Sequence, residues 1–305
     1  MKKEIFLLFM LLFVASCTTT TNPGSSDLLT GSPDGIHIKF LPELPSNDLF
    51  EGSDVSIGLE LSNNAACDSK GKLFISDTVP SSRGGISESL SREFDLFGAT
   101  IEQGKKRIEK NSFYFKTSPY SGLDRPEGLD VTLEATAIYH CQIIAGPQIC
   151  IRSNLEDDKS CTATETISGG KLRSTVGPVT ISKVVKKFSP ESGNTRLVTE
   201  VSLTKMSQGY LSNEVDSQNP LSISEEDPIS ITIDFDGNPM ECSGRDFRDG
   251  KLYWKINDNR EKMIRCNSLV NVVDKVEGNL NINLDYYYKT TESKRIKITK
   301  LNGNA

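Results

Sequence analysis

Seven cysteines, two histidines and one tryptophan are the residues of this 305-residue chain whose types point to definite chemistry. The two histidines, His37 and His140, cannot supply a His-rich metal site. His140 stands next to Cys141, but neighbouring residues of a strand point to opposite faces, which forbids a Cys–His dyad between them. No G-x-S-x-G occurs to pair a serine with either histidine. Asp234-Phe235-Asp236-Gly237-Asn238 has the look of a calcium loop, yet its glycine falls at position 4 and Arg245 at position 12. An EF-hand needs glycine at 6 and an acid at 12, so a polar turn after a strand is the expected structure. No catalytic residue, metal ligand or cofactor is assigned.

The first cysteine differs from the other six. Lys2 and Lys3 precede the apolar run Ile5–Val14, which ends in Val14-Ala15-Ser16-Cys17. Ten apolar residues suit a secretory signal and fall well short of the ~20 that span a bilayer. The last four resemble a lipobox, so residues 1–16 are expected to be a signal peptide and Cys17 a lipidated N-terminus. Residues 17–35, rich in Thr, Ser, Gly and Pro, read as a disordered tether.

Six cysteines remain: Cys67, Cys141, Cys150, Cys161, Cys242 and Cys266. An even number in an exported chain favours disulfides, and no C-x2-4-C pair exists for a zinc site. Cys242 and Cys266 are alone in the second half, so they are expected to pair. In the first half two patterns stay open. An Ig-like strand order gives Cys67–Cys141 with Cys150–Cys161. A hairpin turning at Ala145-Gly146 instead gives Cys141–Cys150 with Cys67–Cys161.

The elements that must position these residues read as strands. Val55, Ile57, Leu59 and Leu61 alternate with polar residues, as do Val131 to Cys141, Ile229 to Phe235, Leu252 to Ile256 and Leu280 to Tyr288. Period two with Gly, Pro, Asn and Asp between runs is the signature of half-buried antiparallel strands. Ser87–Phe94 is the only helix-like stretch. A weak repeat links GIHIKFLPELP…SDVSIGLELSN to GPVTISKVVKKFSP…NTRLVTEVSLTKM. Each half is expected to close on a long hairpin. The fold class is therefore all-β: two tandem Ig-like antiparallel β-sandwiches, at 36–156 and 177–301, joined by a connector at 157–176.

Two aromatic positions are candidate ligand contacts, Trp254 and the outward Tyr287 of Tyr286-Tyr287-Tyr288. Basic clusters occur at Lys105, Lys106, Arg107 and Lys110 and again at Lys294, Arg295, Lys297 and Lys300. They are expected to guard strand edges, with anionic headgroup binding as the rival. The net charge of −6 argues against nucleic acid as a partner.

The stretches FEGSDVSIGLELSNNAACDSKGKLFISD, LEATAIYHCQIIAGPQICIRSN and GPVTISKVVKK resemble exported surface proteins of small-genome archaea. Those proteins carry tandem Ig-like domains of the adhesion-related and NEW3 types. The resemblance implies fold and surface location, with no catalytic motif to carry over. The expected function is a lipid-anchored cell-surface adhesion or scaffold protein without catalysis, held to the membrane by its N-terminal lipid and engaging a surface protein or glycan. The alternative is an envelope lipoprotein that binds a glycan or small ligand through its second domain.

Overall fold

The computed structural model describes residues 31–86, 89–123, 127–155, 161–216, 219–223, 227–244, 246–256 and 261–300. Among them there is no α-helix; short 3-10 turns occur at 81–83, 169–172 and 220–222. The first half contains β1 (Ile36–Phe40), β2 (Asp48–Phe50), β3 (Val55–Asn63), β4 (Ser69–Asp77), β5 (Leu90–Leu96), β6 (Thr100–Glu102), β7 (Lys105–Arg107), β8 (Lys110–Thr117), β9 (Leu129–Ala145) and β10 (Gln148–Arg152). Next come β11 (Thr164–Ser168), β12 (Val179–Glu191), β13 (Asn194–Lys205), β14 (Tyr210–Ser212), β15 (Pro228–Phe235) and β16 (Asn238–Pro239). The chain closes with β17 (Glu241–Cys242), β18 (Phe247–Arg248), β19 (Lys251–Lys255), β20 (Lys262–Val270) and β21 (Lys275–Thr299).

The period-two runs form strands for the expected reason: one face is buried. Val55, Ile57, Leu59 and Leu61 are 0–2% exposed, and Ile229, Ile231, Ile233 and Phe235 no more than 3%. Ser87–Phe94 is not helical where it is described, because Leu90–Leu96 is β5, paired antiparallel to β4.

The halves are joined differently from two beads on a string. β1, β3 and β8 form one small sheet, and β11, β12, β13, β20 and β17 form another. Behind both lies one shared sheet, ordered β18-β19-β15-β21-β9-β4-β5. From either end its main strands run β5-β4-β9 and β19-β15-β21, so the weak sequence repeat is a repeat of structure. Each half gives three principal strands to a small sheet and three to the shared one, six rather than the seven of an Ig domain.

The seam is the pair β9:β21, antiparallel from Leu129 opposite Ile298 to Ala145 opposite Ile282. Neither strand folds into the hairpin expected at the end of its half. β21 is a single strand of 25 residues. β10 does not turn back on β9 but continues along β21, with Gln148 opposite Asn279. The register passes through Ala145-Gly146-Pro147-Gln148 without a shift, and Leu280 N–H donates to the Pro147 carbonyl (3.0 Å). Leu129 to Arg152 thus lies along one partner for roughly 80 Å at about 3.3 Å per residue. Gly-Pro looks like a turn in sequence, but a proline also fits where its missing N–H removes one ladder bond only.

The expected connector is likewise part of the fold. Its described residues include β11, an edge strand of the second small sheet, and 172–175, which runs beside β9: Thr175 N–H donates to the Ile144 carbonyl (2.9 Å). At the other boundary, residues 31–35 are held against the first half, with Ser32 N–H on the Asn64 carbonyl (2.6 Å) and Asn64 N–H on that of Gly35 (2.9 Å). One hydrophobic core, including Leu59, Tyr139, Tyr286 and Val201, runs through both halves.

Candidate functional site

Alternation on β9 and β21 sorts the candidate side chains by face. Tyr139, Cys141, Tyr286 and Tyr288 point inward, at 0–1% exposure. His140 and Tyr287, directly paired across the seam, point outward. Inside, the tyrosines act as hydrogen-bond acceptors for the opening strand of each half. Ile36 N–H, at the start of β1, donates to Tyr139 Oη (3.0 Å), and Val179 N–H, at the start of β12, donates to Tyr286 Oη (3.3 Å). Gly35, at φ +67°, is required here: a Cβ on it would sit 2.1 Å from the Tyr139 hydroxyl. Burial pushes both phenols well above their ordinary range.

The six cysteines of the folded body form three disulfides. Cys67–Cys141 ties the β3–β4 loop to the inner face of β9, Cα–Cα 5.5 Å. Cys150–Cys161 ties β10 to the chain leading to β11. Cys242–Cys266 joins directly opposed residues of β17 and β20. The pattern with Cys141–Cys150 is excluded, since both residues lie on one extended ribbon instead of facing each other over a turn. Three disulfides fit an extracytoplasmic protein.

The outer face carries a groove of ≈ 700 Å³. Phe74, Ile138 and Tyr287 line its floor, Val215 and Pro220 its wall, and Lys70, Lys72, Glu93 and Asp95 its rim. Lys289, two residues beyond Tyr287 on the same face, pins the wall by donating to the Leu221 (2.6 Å) and Ile223 (3.4 Å) carbonyls. Burial lowers its pKa. The Tyr287 ring meets His140 edge-on at 5.4 Å, and His140 Nε2 lies 2.7 Å from Asp285 Oδ1. At the rim Lys70 pairs with Asp95 (3.0 Å). Such a site can hold an apolar body and orient polar ends at its margins.

Trp254 lies elsewhere. Through Ile229 it follows the register of Tyr286, so it packs on the core side, partly buried, while Tyr287 faces the groove. The two candidate contacts cannot share one concave site. The groove itself draws on both halves, which sequence reading missed; the outward Tyr287 was the only signal for it.

Asp234 and Asp236 serve the turn after β15. Asp234 Oδ1 accepts from Gly237 N–H (2.8 Å) and Asn281 Nδ2 (2.7 Å), and Asp236 Oδ1 from Asn279 N–H (2.8 Å). No group of three or more His, Cys, Asp or Glu that could hold a metal occurs among the described residues. On β21, Lys297 lies between β9 and β2, whereas Lys294 and Arg295 have β9 as strand neighbour on one side only. Lys294 donates to the Pro45 carbonyl and Lys300 to that of Leu123. Cys17 and the rest of 1–30 lie outside the described residues. Among the described residues no helix is long and apolar enough to cross a membrane.

The class defined by fold and site is an all-β, disulfide-bonded protein built as two repeats on one shared sheet. No family model matches the chain, and no curated protein matches it either.

Proposed function

We propose that this is a non-catalytic scaffold or adhesion protein, anchored to the outer surface of a membrane through lipid on Cys17. The observation that carries the reading is the unbroken β9–β10:β21 ribbon. It makes both repeats one stiff body, braced by three disulfides, suited to presenting surfaces at a distance from its anchor. The chemically capable side chains support the same reading, because they are engaged in structure. His140 is paired with Asp285, and the fully buried Lys186 donates to the Cys150 carbonyl (2.8 Å) and lies 3.2 Å from Glu165. Cross-linking in intact cells followed by purification of the chain tests this. A stoichiometric envelope protein or glycan is expected, with Cys17→Ala releasing the chain or leaving an unprocessed precursor. Intact mass showing cleavage elsewhere and no lipid on Cys17 overturns the anchor.

A second reading, binding of a small ligand, is favoured by one observation: the apolar floor of the groove at Tyr287. Ligand co-purifying with the wild-type chain and lost from Tyr287→Ala would establish it.

A further inference from the structure

The β6–β7 hairpin stands apart from both layers. It pairs only with itself, and every residue of its two strands is exposed. Its turn, Gln103-Gly104, has φ of +52° and +75°, the left-handed pair of a tight two-residue hairpin. An isolated two-stranded ribbon contributes little to stability, and this one carries an unusual surface. Lys105, Lys106 and Arg107 occupy β7, while Ile101, Ile108 and, at the base, Phe97 are exposed at 45%, 37% and 67%. The nearby carboxylates are engaged. Glu102 pairs with Arg107 and Glu60 with Lys110, each at 2.8 Å; Asp68 accepts from Gly98 N–H (2.8 Å), and Glu109 accepts from Phe97 N–H. Lys105 and Lys106 have no carboxylate partner among the described residues.

The hairpin's position gives this surface a direction. Lys106 Nζ lies 3.4 Å from the Asn64 carbonyl oxygen, the same atom that accepts Ser32 N–H at 2.6 Å. The loop at 63–66 also takes the base of the hairpin, through Ala99 N–H on the Ala65 carbonyl (2.7 Å) and Asn63 N–H on that of Glu109 (3.1 Å). The hairpin therefore springs from the point where the chain arrives from Cys17. Fourteen residues along the chain separate Cys17 from Gly31, the first described residue.

We propose that this hairpin is a foot that rests on an anionic phospholipid surface. Cross-strand partners share a face, so Ile101 and Lys106 lie on one side of the ribbon and Glu102, Lys105 and Arg107 on the other. Lys105 and Lys106 reach headgroup phosphates around the two sides of the ribbon, and Ile101, Ile108 and Phe97 sit at the boundary of the acyl region. Its location rests on the anchored reading; its chemistry does not. The foot would fix the tilt of the stiff body above the membrane, which a lipid on a tether alone leaves undetermined.

The test uses the full chain on vesicles of phosphatidylcholine, with and without about 30 mol% phosphatidylglycerol. Lysine acetylation rates are read by peptide mass spectrometry. Lys105 and Lys106 should react at least about fivefold more slowly on the anionic vesicles, while the exposed Lys251 is unchanged. Salt at about 0.5 M should restore the rate, because it shortens electrostatic reach to a few ångströms. Ile101→Asp, on an exposed ribbon outside the hydrophobic core, should abolish the slowing with the melting temperature little changed. Equal rates on the two vesicles overturn the proposal. So does slowing that persists on phosphatidylcholine and grows with protein concentration, which would mark a second copy as the occupant. The intact mass of Cys17 is measured on the same sample. If it carries no lipid the anchor fails, while added anionic vesicles still report on the foot.

Discussion

Tyr139 and Tyr286 each hold the first peptide N–H of an opening strand, and no water is needed to complete either bond. Replacing either by Phe leaves a buried donor unpaired at nearly constant volume, so each variant should lose about 1–3 kcal/mol in urea unfolding. Tyr287→Phe, at a half-exposed position, should stay within about 0.5 kcal/mol. Equal losses at 286 and 287 would refute the assignment. The same residues set the alkaline limit. Burial raises the pKa of Tyr120, Tyr139, Tyr286 and Tyr288 above the ordinary phenol range. A group raised in the folded state contributes stability that is present below its unfolded pKa, about 10, and is lost as pH climbs toward the folded value. Each such tyrosine steepens that loss by about 1.4 kcal/mol per pH unit. Lys186 and Lys289, lowered by burial, act in the opposite sense, and their window closes near the ordinary lysine value of about 10.5. Unfolding measured above about pH 11 therefore isolates the phenols. Tyr139→Phe should flatten the slope there by one tyrosine's share, and an unchanged slope counts against the burial argument.

Among the elements, the disulfides differ in the loops they close. Cys67–Cys141 spans 74 residues and Cys150–Cys161 spans 11. In the chain-entropy model the first contributes about 4–5 kcal/mol and the second about 3, so the double alanine variants should unfold in that order. The reverse order would mean that local strain outweighs loop length. The strands themselves were legible because alternation reports which face of a strand is buried. Ile229 to Phe235 and Leu280 to Tyr288 could be placed without coordinates, and the outward Tyr287 follows from its buried neighbours. Pairing was not legible, since alternation says nothing about what lies at either edge of a strand. A Gly-Pro step suggests a turn whether the chain reverses there or continues, so the β9–β10 hairpin was expected where an unbroken ribbon exists. The groove was hidden for the same reason: Phe74 and Tyr287 come together only once β4, β9 and β21 are neighbours. The weak internal repeat did survive into the structure, because β1–β3 and β12–β13 face the shared sheet in equivalent ways.

For the whole molecule, the seam decides whether either half can exist alone. In a 31–156 fragment, β9 would keep β4 on one side but lose β21 on the other, and β10 would lose the strand it pairs with, leaving an edge of roughly 80 Å unpaired. Long exposed edges with an apolar face template aggregation, and natural sheets avoid them. The cost is larger than the hydrogen bonds alone, because the buried core is continuous across both halves. Residues 31–156 and 157–305 expressed separately should therefore be insoluble or fail to form Cys67–Cys141 and Cys242–Cys266. Produced together in an oxidising compartment, they should assemble one to one through the ribbon and become joined by Cys150–Cys161, which spans the cut. Gel filtration with non-reducing peptide mapping reads both outcomes. A soluble 31–156 monomer with its native disulfide and cooperative unfolding would show that the first sandwich is an autonomous domain and that the shared sheet is only an association of finished parts. Failure of both halves alone, with recovery on co-production, is what the geometry requires of two repeats that share a single backing sheet.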